Sequence, residues 1–231
     1  MRQVLRFEVE ALIALPSARW LATAAVLLSV GVPLLVLREV GADAASLTLL
    51  LPLVVQIAQY PMLAVGCVAA GHQFGSGVWQ TRLLAVPRRV DVAAAQAIAV
   101  VAAAATLAAA VAAAFVSTAR LAGATVSATD LRQTAGTALY LALLVVLGWA
   151  TTFAGRSTVV ALAALSSSLL IVPAVAQIFG SLSYLPGVAG TALFTPTIPD
   201  LPGAQPLWLL LWTGAACAAA ILTAKLRDCG G

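Results

Sequence analysis

Cutting the chain at its charged residues leaves six long uncharged stretches: Trp20–Leu37, Ala44–Thr81, Val92–Ala119, Gln133–Gly155, Ser157–Pro199 and Leu201–Ala224. An apolar run of about 20 residues crosses the hydrocarbon core of a bilayer as a helix. With 62% hydrophobic and only 9% charged residues, the chain lies far from the quarter of charged side chains typical of soluble domains. The pattern therefore predicts an all-α polytopic membrane protein.

The two longest stretches each have room for more than one span. The first ends in the Gly-rich polar segment Gly71–Thr81, and the second in Phe179–Pro199, which contains Pro186, Pro196 and Pro199. Neither tail satisfies its own backbone hydrogen bonds as a spanning helix must. Six transmembrane helices follow, at 20–37, 47–70, 92–118, 134–154, 158–178 and 206–224, in a single transmembrane domain covering 1–231. The even count puts both termini on one side. That side carries Arg2, Arg6, Arg19, Arg82, Arg88, Arg89, Arg156, Lys225 and Arg227, against Arg38, Arg120 and Arg132 opposite. Cytoplasmic loops concentrate basic residues, so both ends are expected in the cytoplasm. Positive charge spread over several loops argues against nucleic-acid binding. No cysteine falls in an outward loop, so no structural disulfide is expected.

Residues 1–16 are amphipathic at helical spacing. Leu5, Val9, Leu12 and Ile13 form one stripe, with Gln3, Arg6 and Glu10 opposite, before Pro16 and Ser17 break the pattern, Ser17 standing as an N-cap. An interfacial helix ahead of the first span fits this pattern. The second span holds Pro52, Pro61, Gln56 and Gln59, the two glutamines three apart and so on one face. Gln96, Gln177 and the Ser166-Ser167-Ser168 run complete the intramembrane polar set. Such groups either bond helix to helix, the commoner role, or line a substrate path, for which Gln56, Gln59 and Gln177 are the candidates. Residues 179–205 are too apolar for a free loop and too proline-broken for one helix, which predicts short re-entrant or interfacial pieces at the outer mouth.

Several chemistries lack their residues. The one lysine, Lys225, follows no Gly-rich loop, which rules out a P-loop; the one histidine, His72, rules out a His-x-x-x-His zinc helix. No Gly-x-Ser-x-Gly elbow occurs. All eight acidic residues fall outside the six expected spans, whereas ion-coupled carriers commonly keep an ionisable group in the membrane. The expectation is a chain that is no enzyme and takes any energy from another polypeptide.

Against this apolar background, residues 75–91, Gly-Ser-Gly-Val-Trp-Gln-Thr-Arg-Leu-Leu-Ala-Val-Pro-Arg-Arg-Val-Asp, gather three arginines. From Ser76 the spacing predicts a short helix with Trp79, Leu83 and Val86 on one face, ended by Pro87, with Asp91 as N-cap of the third span. The residues suit two roles equally: an amphipathic helix for a partner's groove, or a basic anchor with an interfacial tryptophan.

The stretch Gly75–Val100 resembles the connection between spans two and three of type-2 ATP-binding-cassette exporter permeases, through Gly77, Thr81, Arg82, Leu83, Leu84, Pro87, Arg88 and Arg89. Residues 5–20 resemble the leading interfacial helix of that family, with Glu8 or Glu10 as its acidic residue. The chain departs from the family at His72-Gln73-Phe74, where an acid is usual, and at Gln96, where a basic residue is usual. The resemblance implies the membrane subunit of an exporter in a bacterial plasma membrane, pairing with a second copy or a homologous permease and with two ATPase subunits. It implies no cofactor on this chain, ATP and magnesium residing on the ATPase. It makes 71–89 a cytoplasmic coupling helix, with Trp79, Arg82, Leu83, Arg88 and Arg89 at the ATPase contact. The cargo it implies is amphipathic: a peptide, an antibiotic or a lipid. The rival readings are an immunity or sensor protein that sequesters a toxin without transport, and a secondary carrier or channel.

Overall fold

A computed structural model describes residues 2–40, 47–75, 89–179, 189–190, 193 and 205–226, with side chains over 5–39, 50–74, 92–171, 189–190, 193 and 207–225. These residues form seven helices and no strand: α1 (Arg2–Ala14), α2 (Pro16–Val40), α3 (Leu47–Gly75), α4 (Arg89–Leu121), α5 (Ala128–Gly155), α6 (Thr158–Phe179) and α7 (Gln205–Leu226). Five of them, α2, α3, α4, α5 and α7, are long and apolar enough to cross a bilayer. The chain is a helical, multi-pass membrane protein. The expected span at 158–178 coincides with α6, whose portion with described side chains, Thr158–Ile171, is apolar but shorter than a bilayer crossing.

The helices run beyond the apolar stretches that announce them. Backbone hydrogen bonding, not hydropathy, decides where a helix ends, so charged and polar residues join the ends of spans. Gly71–Gly75 prolongs α3 and does not open a loop, and α4 starts at Arg89, which puts Asp91 inside its first turn and not at the N-cap. Likewise α2 starts at Pro16, with Ser17 inside it. Proline suits a first helical position because its missing N–H has no partner there. Only Leu15 separates α1 from α2, so the break is a sharp corner.

The connection from α4 to α5 is built from caps. Gly123, at φ 87°, takes the left-handed position, while its N–H donates to the Arg120 carbonyl and the Ala124 N–H to the Ala119 carbonyl, 3.0 Å each. This is a Schellman ending. Ser127 then caps α5: its hydroxyl accepts from the Asp130 N–H at 3.2 Å, and the Asp130 carboxylate accepts from the Ser127 N–H at 2.9 Å. At its far end α5 turns into α6 through Arg156, left-handed at φ 54°.

α5 is the hub. It packs against α3, α4, α6 and α7, while α2 lies on α3 and α4, and α1 on α4 and α2. α3 and α5 run parallel: Gln59 meets Tyr140, Gly66 meets Val145, and Phe74 meets Phe153. Their backbones approach so closely that a Cβ on Gly66 would strike the Val145 carbonyl, and one on Gly148 would lie 2.7 Å from the Leu63 oxygen. Lipid is as apolar as leucine, so what holds such helices is close van der Waals contact, which small residues permit. At the Ser127 end of α5, Ala189 and Gly190 are buried, Gly190 against the Tyr140 ring, and Leu193 packs over Gly136. The rest of the 180–204 segment lies outside the described residues.

Candidate functional site

The polar groups of the bundle collect on the α3–α5 seam and its contact with α4. Near mid-length the Tyr140 hydroxyl donates to Gln59 Oε1 at 2.9 Å, both side chains buried. Two turns on, Thr152 lies beside the Cys67 thiol without reaching hydrogen-bond geometry. Gln96, fully buried on α4, donates from Nε2 to the Ala69 carbonyl at 3.2 Å. One turn beyond Ala69 comes Gln73, also buried. Among the described residues, four atoms at this end of the seam have no hydrogen-bond partner: Gln73 Oε1, Gln96 Oε1, Trp149 Nε1 and Thr152 Oγ1. A buried polar atom left unpaired costs about 1–3 kcal/mol.

The Arg156 end is closed by aromatic packing. Phe74, in the last turn of α3, meets Phe153 edge-on at 5.4 Å, and Phe153 meets Trp149 at 5.5 Å. The Arg156 guanidinium stands 5.8 Å from the Phe74 ring centre, within cation–π range. Phe74 therefore fixes the end of α3 to the α5–α6 corner. Gln96 fixes the beginning of α4 to α3. The basic segment 76–88 thus connects two helix ends that are both clamped to neighbours.

Of the residues expected at an ATPase contact, Trp79, Arg82, Leu83 and Arg88 lie outside the described residues, and Arg89 is the first residue of α4, its side chain likewise outside. Of the substrate-path candidates, Gln177 sits on α6 with its side chain undescribed. Gln56 and Gln59 separate: Gln59 turns inward to Tyr140, while Gln56 is exposed. Residues three apart differ by about 60° around a helix, and the edge of the α5 contact falls between these two. The same geometry splits α1. Its inward face is Leu5, Glu8 and Leu12, whereas Val9 and Ile13, the other members of the apolar stripe, are exposed, as is Phe7. Glu10 is an exposed partner of Arg6 at 2.8 Å, and Glu8 is the buried acid, 2% exposed. Spacing found the amphipathic helix but not that its inward face carries a carboxylate.

Sequence reasoning passed over Tyr140, Trp149, Thr152 and Gln73. Spacing gives none of them a partner; the packing of α3 against α5 buries Tyr140, Trp149, Thr152 and Gln73. Among the described residues, no three metal-ligating side chains come together. No protein-family profile and no curated protein matches this chain.

Proposed function

We propose that this chain is the transmembrane permease subunit of an ATP-binding-cassette exporter, moving an amphipathic peptide, antibiotic or lipid outward. ATP, with magnesium, is hydrolysed on a separate pair of ATPase chains, and this chain is not itself an enzyme. It works with a second copy or a homologous permease. In this reading α6 is the fifth of six spans, α1 lies in the cytoplasmic interface, both termini are cytoplasmic, and the membrane is a bacterial plasma membrane.

The observation that carries the reading is the clamping of α3 and α4 on either side of the basic segment 76–88. Phe74 is held by Phe153 and Arg156, and Gln96 by Ala69. A push on a short connection between two packed helices moves both as rigid bodies, and packed interfaces switch between arrangements rather than deform smoothly. Trp79 and Leu83 are the anchors for an ATPase groove, and Arg82, Arg88 and Arg89 the complementary charges. The inward Glu8 supports the same reading, since a single acidic residue on the leading helix belongs to the pattern of resemblance. Gln56 supports it too. An amide exposed part-way along a membrane helix is costly against lipid and fits a surface facing a second permease copy or a watered path.

The test is co-purification from membranes of cells expressing the tagged chain with its genomic neighbours. The wild-type chain, extracted in mild detergent, is expected to bring an ATPase chain with it. Trp79→Ala combined with Leu83→Ala is expected to weaken that association about thirtyfold or more, since truncating a buried aromatic anchor costs about 2 kcal/mol, while membrane insertion is unchanged. Absence of any ATPase from the wild-type preparation overturns the exporter reading. Retention of the ATPase by the double variant overturns the coupling role of the segment.

A further inference from the structure

Between α1 and the main bundle runs a half-open groove of about 200 Å³. Leu12 closes it from α1, Arg19 and Ala22 from α2, Val65 from α3, and Ala103 and Leu107 from α4. Its surface is almost wholly apolar, because alanines stand where larger side chains would have filled the space. We propose that this groove holds one acyl chain of an anionic phospholipid, whose headgroup phosphate is bound by Arg19.

Three observations converge on that occupant. The groove is half open and bordered by α1, a helix that exposes Phe7 and Ile13 together with the Arg6–Glu10 pair. A helix exposing apolar and ionic groups together belongs at the boundary between headgroups and chains. An open apolar space in contact with lipid fills with lipid, since a void forfeits the dispersion contacts of its walls. The second observation is charge. Arg19 is exposed at the groove and has no carboxylate partner among the described residues, Glu10 being taken by Arg6. A guanidinium there offers bidentate hydrogen bonds to a phosphate. The third is the neighbouring Trp20, 75% exposed, an indole at the start of α2 of the kind that sits at headgroup depth. Apolar depth and a cation at the rim together match an amphiphile with a negative head. A zwitterionic lipid would gain the groove but lose the net charge match. The site requires membrane insertion only and stands whether or not the chain transports anything.

The probe is an equimolar mixture of phosphatidylglycerol and phosphatidylcholine in mixed micelles with the full-length protein, and retained lipid is read by native mass spectrometry. The wild-type chain is expected to retain phosphatidylglycerol in preference. Arg19→Gln should lower that preference about fivefold, the effect of one basic side chain near a membrane surface, and Arg19→Lys should largely keep it. Ala22→Phe fills the groove and should abolish retention of both lipids. Ala103→Leu on the opposite wall does the same job should Ala22→Phe fail to give a monodisperse protein. Free glycerol phosphate in excess should not displace the lipid, because the chain contributes much of the binding. Four outcomes overturn the proposal: no lipid retained by the wild type, an unchanged preference in Arg19→Gln, undiminished retention in the folded filling variants, or full displacement by glycerol phosphate.

Discussion

α3 and α2 are neighbours of similar character in sequence, yet 67% of the best apolar window of α3 is buried inside the bundle against 22% for α2. α7 is as exposed as α2, and α5, at 56%, is nearly as buried as α3. Hydrophobicity does not account for the split, because the spanning stretch of α2 has the higher mean hydropathy, 2.3 against 1.7 for α3. What distinguishes α3 and α5 is a set of glycines in contact with neighbouring backbone and a buried hydrogen bond between their polar side chains. Gly66 and Gly148 face carbonyls across the seam, whereas Gly31 in α2 and Gly214 in α7 face open space. In water the most apolar helix is driven inside. In a bilayer apolar surface is already at home, so burial goes to the helices that gain most from close packing and hydrogen bonding.

That contrast breaks most visibly at its glycines. Gly66→Leu drives a side chain into the Val145 backbone, which cannot move aside as a flexible side chain would. Overpacking typically costs about 1–3 kcal/mol, and a rigid obstacle places this variant at about 3 kcal/mol or above. It is expected to lose its monodisperse peak on gel filtration in mild detergent, while Gly214→Leu keeps it and shifts thermal stability little. Equal damage from Gly214→Leu would show that the outer face of α7 is covered by another chain.

A smaller effect sharpens the polar half of the comparison. Tyr140→Phe leaves Gln59 Oε1 buried without its donor, and interhelical hydrogen bonds in membranes average about 0.6 kcal/mol and reach about 1.7. A loss of about 1–1.5 kcal/mol is expected in a denaturation series in detergent. Adding Gln59→Leu should restore part of it, since removing both partners leaves no orphan. Gln56→Leu, outside the seam, should change stability by less than about 0.5 kcal/mol. If the double variant is no better than Tyr140→Phe alone, the Gln59–Tyr140 bond is not what the tyrosine contributes.

The smallest effect is expected on exposed surface. Thr106 already returns its hydroxyl to the Ala102 and Ala103 carbonyls, at 3.1 and 2.9 Å. Thr106→Val removes only this local bond, so its melting curve should overlay that of the wild type within about 0.5 kcal/mol. A larger loss would mean that this face of α4 is packed against something the isolated chain does not show.

Uncharged run length by itself determined the helical membrane class and located every long helix, because lipid admits no irregular backbone and a span needs a fixed number of residues. Proline at 16 also marked the corner between α1 and α2, whereas the left-handed Gly123 and the reciprocal cap of Ser127 with Asp130 emerged only from the structure. Helix ends were misjudged by a few residues because hydrogen bonding, not hydropathy, terminates a helix. Tertiary structure alone decided which helices form the centre, that Gln59 is bound while Gln56 is exposed, and that Glu8 and not Glu10 points inward. The physical reason is the solvent. A lipid-facing residue and a core-facing residue are both apolar, so the periodicity that marks an inner face in water is nearly silent here. Only the meeting of Gly66 with Val145 and of Gln59 with Tyr140 tells one face from the other.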